Sequence, residues 1–106
     1  MSLEFVAHPE AVAELEADVL WYESRSDGLG ERYRANVNDV IRDLLTWPNS
    51  GPVWPDAHPT LTVRSFGVTD FPYRVVYAVR GTELFVAAFA HSKRKPGYWR
   101  HRFDED

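Results

Sequence analysis

Apolar residues recur at helical spacing through the first half of the chain, and the period shortens in the second half. Residues 3–8, LEFVAH, read as a short opening strand. Pro9 suits the first position of a helix, where its missing N–H costs nothing. Val12, Leu15, Val19 and Tyr22 then form one apolar stripe, with Glu10, Glu14, Asp18 and Glu23 mostly off it. The acids Glu10, Glu14 and Asp18 recur every four residues and read as a solvated face. SRSDGLG, residues 24–30, breaks this helix, and a second starts near Leu29 or Gly30. Its buried face is predicted from Tyr33, Val37, Val40, Ile41 and Leu44.

Residues 46–59, TWPNSGPVWPDAHP, hold four prolines and a glycine and are predicted to be a loop. Three stretches rich in β-branched and aromatic residues follow, at 61–70, 73–79 and 83–91. Phe71-Pro72 marks the first turn between them and Arg80-Gly81-Thr82 the second. The last two stretches are apolar on both faces, as in the middle of a covered sheet. The predicted order is β-α-α-β-β-β, an α+β fold with a helical hairpin packed on one face of a mostly antiparallel sheet. At 106 residues this is a single domain spanning residues 1–106.

Arg74 should share a side with Val76 and Ala78, opposite Tyr73, Val75 and Tyr77, because side chains alternate along a strand. An unpaired guanidinium under the helices would be costly, so Arg74 is expected on the sheet face away from them, open to a partner.

Charge adds a polarity to this picture. The net charge is -4, yet residues 1–50 carry ten acids against four arginines, and residues 51–106 carry eight bases against six acids. Five of the twelve Lys and Arg residues fall between Lys93 and Arg102, in the segment AHSKRKPGYWRHRF. Like charges this dense repel one another unless a partner or acidic neighbour offsets them. Cysteine is absent, which excludes disulfides and Cys-ligated zinc. His8, His58, His91 and His101 are scattered, so neither a metal site nor a cofactor is expected. No apolar run is long enough for a membrane span and no secretion signal is visible, which leaves a soluble cytoplasmic protein as the expectation.

The element order together with HPEAVAELEADVLWYE, GLGERY, FPYRVVYAV and AHSKRKPGYWRHR resembles the RelE/ParE superfamily of type II toxin–antitoxin toxins, and most closely its ParE-like, plasmid-stabilisation branch. The resemblance covers nearly the whole chain. It implies a growth-inhibiting toxin neutralised by a cognate antitoxin, as a homodimer or a toxin–antitoxin hetero-oligomer. ParE-like members are associated with poisoning DNA gyrase, and RelE-like members cleave mRNA on the ribosome. A repurposed module that only binds an antitoxin is a third reading.

RNA cleavage through attack by a 2′-OH needs proton transfer and cations for the developing charge. By motif-level resemblance to RelE-like enzymes, Arg74 and Arg94 would supply charge, and His91 and Tyr98 would move protons. The departure is clear: the only lysines are Lys93 and Lys95, and an acidic protein is poorly suited to dock unaided on ribosomal RNA. For target binding without chemistry, the candidates are Lys93, Arg94, Lys95, Trp99, Arg100 and Arg102, all expected past the last core strand. Simpler roles compete. His91 could be a hydrogen-bonded residue at the core's edge, Arg74 a sheet brace, and Tyr98 and Trp99 packing residues. Trp21, Trp47 and Trp54 read as packing residues or partner contacts.

Overall fold

The computed structural model describes residues 3–105. A first strand, β1 (Glu4–Ala7), leads into helices α1 (Pro9–Arg25) and α2 (Leu29–Thr46). Strands β2 (Arg64–Gly67), β3 (Tyr73–Arg80) and β4 (Glu83–His91) follow, and a 3-10 helix, η1 (Arg100–Asp104), ends the described chain. The sheet order is β1-β4-β3-β2, antiparallel except for the parallel pair β1–β4. This is the predicted α+β arrangement, with the helical hairpin on one sheet face.

His8 caps α1 by accepting the Glu10 amide on Nδ1 at 3.1 Å, with Pro9 at the first turn. The tight link to α2 is built by Glu23, whose carboxylate accepts the Gly28 and Gly30 amides at 2.8 and 3.0 Å. Those amides hold the Glu23 carboxyl below its usual range, Gly28 contributing most. Gly28 has a left-handed φ of 84°, and a Cβ on Gly30 would collide with the Val19 carbonyl, so the helices cross at a glycine.

α2 buries the predicted stripe of Tyr33, Val37, Val40, Ile41 and Leu44 against Tyr73, Val75, Tyr77, Leu84 and Val86. α1 departs from prediction at one end of its stripe. Val12 is 46% exposed and Ala11 fills the core position instead, because the helix turns its 11-15-19-22 edge to the sheet.

The opposite sheet face also departs from the expectation of an open surface. The loop before β2 and the C-terminal segment fold over it and form a second core. Trp54, Leu61, Val63, Trp99 and Phe103 cover Val76, Ala78, Phe85, Ala87 and Ala88 there. A β-bulge makes this possible. Val76 pairs with Ala88 and Tyr77 with Val86, so Ala87 is the extra residue and both alanines turn to the second face. Their small side chains leave room for the Trp99 and Phe103 rings, which meet edge to face at 5.7 Å.

β1 pairs with β4 only as far as Val86. Beyond it, two side chains stand in for a neighbouring strand. Glu14 accepts the Phe89 amide at 3.2 Å, and Arg102 Nη1 donates to the Ala87 carbonyl at 3.0 Å. The two side chains also pair with each other, Nη2 to Oε2, at 3.1 Å. An ion pair thus takes up backbone groups that would otherwise be orphaned.

Candidate target-binding site

The C-terminal end of β4 and the loop after it split the basic segment in two. Lys93, Arg94, Lys95 and Arg100 are exposed and form no ion pair with a carboxylate among the described residues. Arg102 and Trp99 do not join them, which corrects the expectation that all six candidates share one target-binding surface. Arg102 is 5% exposed and Trp99 1%. The 3-10 turn directs Arg102 back to α1, where Glu14 neutralises it, and Trp99 is a core ring stacked edge-on against Trp54 at 5.2 Å.

Two clefts share the wall made by His91, Arg94 and Tyr98. One, of about 230 Å³, lies on the second sheet face and is lined by Arg74, Val76, Ala90, Lys95, Pro96, Trp54 and Trp99 besides that wall. Its floor is apolar, its rim carries three cations, and no acidic residue lines it. Arg74 shares this side with Val76, and its guanidinium is braced by Ser65, Nε to Oγ at 2.9 Å and Nη2 to the carbonyl at 3.1 Å. The bracing leaves Nη1, beside Gly67, without a described hydrogen-bond partner. Arg94 stacks over the Tyr98 ring at 4.0 Å, which fixes a flexible cation in place.

The second cleft, of about 260 Å³, lies on the helix side and adds Glu14, Ala17, Asp18, Tyr73 and Phe89. Burial pushes the Asp18 carboxyl up from its usual range, a bond from Tyr73 opposing it. Tyr73 also packs edge-on against the His91 ring at 4.9 Å. The acids of α1 are therefore not simply a solvated face. Glu14 is the most engaged of them, accepting from Tyr98 Oη at 2.7 Å as well as from Phe89 and Arg102. A cleft of about 300 Å³ between Pro48 and Val79 carries one cation, Arg64, whose Nη1 donates to the Asn49 and Gly51 carbonyls.

The geometry limits what the clefts can do with protons. His91 Nδ1 accepts the Lys93 amide at 3.0 Å, so the neutral ring carries its proton on Nε2. Facing the cleft, that nitrogen is a donor and not a base. Tyr98 is held protonated by burial and by its bond to Glu14, which push its hydroxyl well above the ordinary range. Neither residue can accept a proton from a 2′-OH as arranged. The cations can bind and orient an anion.

Three of the four histidines use Nδ1 in this way. His8 accepts from Glu10 and His58 from Thr60 and Leu61, at 3.0–3.1 Å, and both turn Nε2 to C-terminal acids, Glu105 at 3.3 Å and Asp104 at 2.8 Å. Spacing along the chain gives no hint of this convergence. Among the tryptophans, Trp54 belongs to the second core, while Trp21 and Trp47 are 51% and 68% exposed.

A helical hairpin on a four-stranded sheet, with a cationic cleft between the last strand and the C-terminal segment, defines a small α+β domain with an anion-binding surface. The family model described as the ParE toxin of the type II toxin–antitoxin system, parDE, matches residues 5–96, and the chain belongs to that family. A solved structure described as the chromosomal ParDE TA system from P. aeruginosa superposes with a TM-score of 0.66 at 19% sequence identity, over 87% of this chain and 98% of that one. At that identity the likeness is one of fold. No curated protein matches the chain. Among the described residues no helix is long and apolar enough to cross a membrane.

Proposed function

We propose that this ParE-family chain is the toxin of a type II pair, that a cognate antitoxin neutralises it, and that its target is DNA gyrase, engaged through the cationic cleft of Arg74, Arg94 and Lys95. The observation that carries this reading is the wall of cations over an apolar floor, in a cleft that no acidic residue lines. Lys93 and Arg100 extend the same positive surface. The antitoxin's acidic stretch would cross this surface, and its apolar side would meet exposed residues of the hairpin such as Leu20 and Trp21.

The mRNA-cleaving alternative, with Arg74, His91, Arg94 and Tyr98 as catalytic residues, is less well supported. His91 carries its proton on Nε2, Tyr98 is locked to Glu14, and the nearby carboxylates, Glu14 and Asp18, line only the helix-side cleft. The geometry favours a binder over a nuclease.

The test is a variant with Lys93, Arg94, Lys95 and Arg100 changed to Gln, induced without antitoxin beside the parent chain. We expect growth arrest and inhibition of gyrase supercoiling to be lost, with mRNA on purified ribosomes left uncut by both proteins. If phosphates are contacted, each lost contact lowers the log–log salt slope of binding by about 0.9. A folded variant that still inhibits gyrase would rule out the cleft as the working surface. Ribosomal mRNA cleavage by the parent chain would revive the nuclease reading.

A further inference from the structure

His101 differs from the other three histidines. His8, His58 and His91 each commit Nδ1 to a backbone amide, which puts the ring proton on Nε2. His101 makes no such bond among the described residues, so its Nδ1 is free to carry the proton and its Nε2 lone pair is free to bind. That nitrogen lies 3.4 Å from Glu105 Oε1 and 3.7 Å from Glu10 Oε2. Four donors about 2.0–2.1 Å from a tetrahedral ion stand roughly 3.4 Å apart, so the His101 spacings, which are also those of ordinary ion pairs, are short enough for ligands of one ion.

We propose that Glu10, His101 and Glu105 form a divalent transition-metal site, with water completing the shell, and that zinc is the ion it suits. An imidazole beside two carboxylates favours zinc over magnesium or calcium. His8 acts from beneath. Its ring is nearly buried, its tautomer is fixed by the Glu10 amide, and its Nε2–H donates to Glu105 Oε2 at 3.3 Å. A ligand carboxylate steered by a buried donor is the usual outer arrangement of a metal site. His8, Glu10 and Glu105 place one donor atom each within 4.8 Å of one another, which puts the support and both carboxylates in one cluster. The charges facing the centre are the two carboxylates and Arg102, whose Nε stands 3.7 Å from Glu10 Oε2 while its Nη2 is committed to Glu14.

Such an ion would tie the start of α1 to η1 and Glu105. The strap that carries Trp99 and Arg102 would then be fixed at both sides, and so would the wall of the cationic cleft. Zinc would act on the shape of that wall without touching the target.

The experiment titrates the full chain with Zn2+ by calorimetry and follows Tm with and without the ion. We expect one zinc per chain and a rise in Tm that magnesium does not produce. His101→Gln should weaken binding at least tenfold, and Glu10→Gln and Glu105→Gln should act similarly. All three side chains are exposed, and the α1 cap uses the Glu10 backbone, so these variants should fold. His58→Gln, at a histidine of the loop before β2 that meets the tail at Asp104 but lies outside the cluster, should bind as the parent does. Proton NMR should show the His8 Nε2–H retained in the zinc form. Equal affinity in His101→Gln, equal stabilisation by magnesium, or loss of the His8 proton on binding would each overturn the assignment. A site that binds zinc as assigned would stand whether or not gyrase proves to be the target.

Discussion

Lys93-Arg94-Lys95 and Arg100-His101-Arg102 look alike in the sequence, two short basic runs separated by four residues. The fold treats them oppositely. The first run is exposed, unpaired with described carboxylates, and lines a cleft. The second sends Arg102 under the surface to Glu14 and the Ala87 carbonyl, and brings His101 to two carboxylates. A cation's role is thus set by whether α1 offers it an acid. Charge density along the chain says only that some partner is needed, and for Arg102 and His101 the partner is internal.

The comparison breaks most sharply at Arg102. Arg102→Gln leaves Glu14 inside without its cation and the bulge carbonyl without its donor. We expect a loss of roughly 3–5 kcal/mol, the cost of breaking a buried pair. That is a fall in Tm on the order of 15 °C or more for a domain of this size. Arg94→Gln, measured in parallel, should shift stability by no more than about 0.5 kcal/mol. Equal effects at the two arginines would erase the distinction drawn between the two runs.

Glu14→Gln should come next, at about 2 kcal/mol, because the amide still accepts one bond but strands the Arg102 charge. In Glu14→Gln/Arg102→Gln the penalty should be less than the two single losses combined, since neither charge is then left alone. A double-mutant cycle by urea unfolding measures this. Strict additivity would mean that the two side chains do not act as a pair.

A third test uses pH. Asp18 has its carboxyl raised by burial, so the folded chain holds that proton more tightly than the unfolded chain. Its contribution to stability is fully present below the ordinary aspartate range and is lost as pH rises through the raised folded value. Asp18→Asn should flatten that part of the Tm–pH curve and leave the neutral-pH protein no less stable. A shallower acid limb in the variant, with less stability lost on acidification, would show that Asp18 is held low instead.

The smallest effects should come from Lys93→Gln, Lys95→Gln and Arg100→Gln, each within about 0.5 kcal/mol of the parent. Among them Lys95, which lines the cleft, should weaken inhibition more than Arg100, which does not. Growth on induction ranks them.

Much of this was legible in the chain itself. The α2 stripe and the three late strands follow from period and residue type, and the positions of Arg74, Val76 and Ala78 on one face follow from alternation. What escaped depends on contacts between distant residues. Glu14 and Asp18 precede Leu15 and Val19, so they border the buried face, and only the returning C-terminal segment turns that border inward. No local signal marks Arg102 as different from Arg100, because its acid lies 88 positions earlier, at Glu14. Histidine tautomers are likewise invisible until the i+2 amide is seen to fold back on Nδ1.

The substitution of side chains for a neighbouring strand along β4 has one further consequence. A strand edge with free amide and carbonyl groups is an invitation to another chain's strand, and proteins guard against it with charge, brevity or cover. Here the guard is a single ion pair, holding Phe89 and Ala87 against the pairing they would otherwise offer. Lysates of Arg102 or Glu14 variants should therefore lose protein to insoluble, strand-rich assemblies out of proportion to their lowered stability. Glu14 and Arg102 would then be kept together as much for solubility as for stability, a bolt on the side of the sheet that must not be left open.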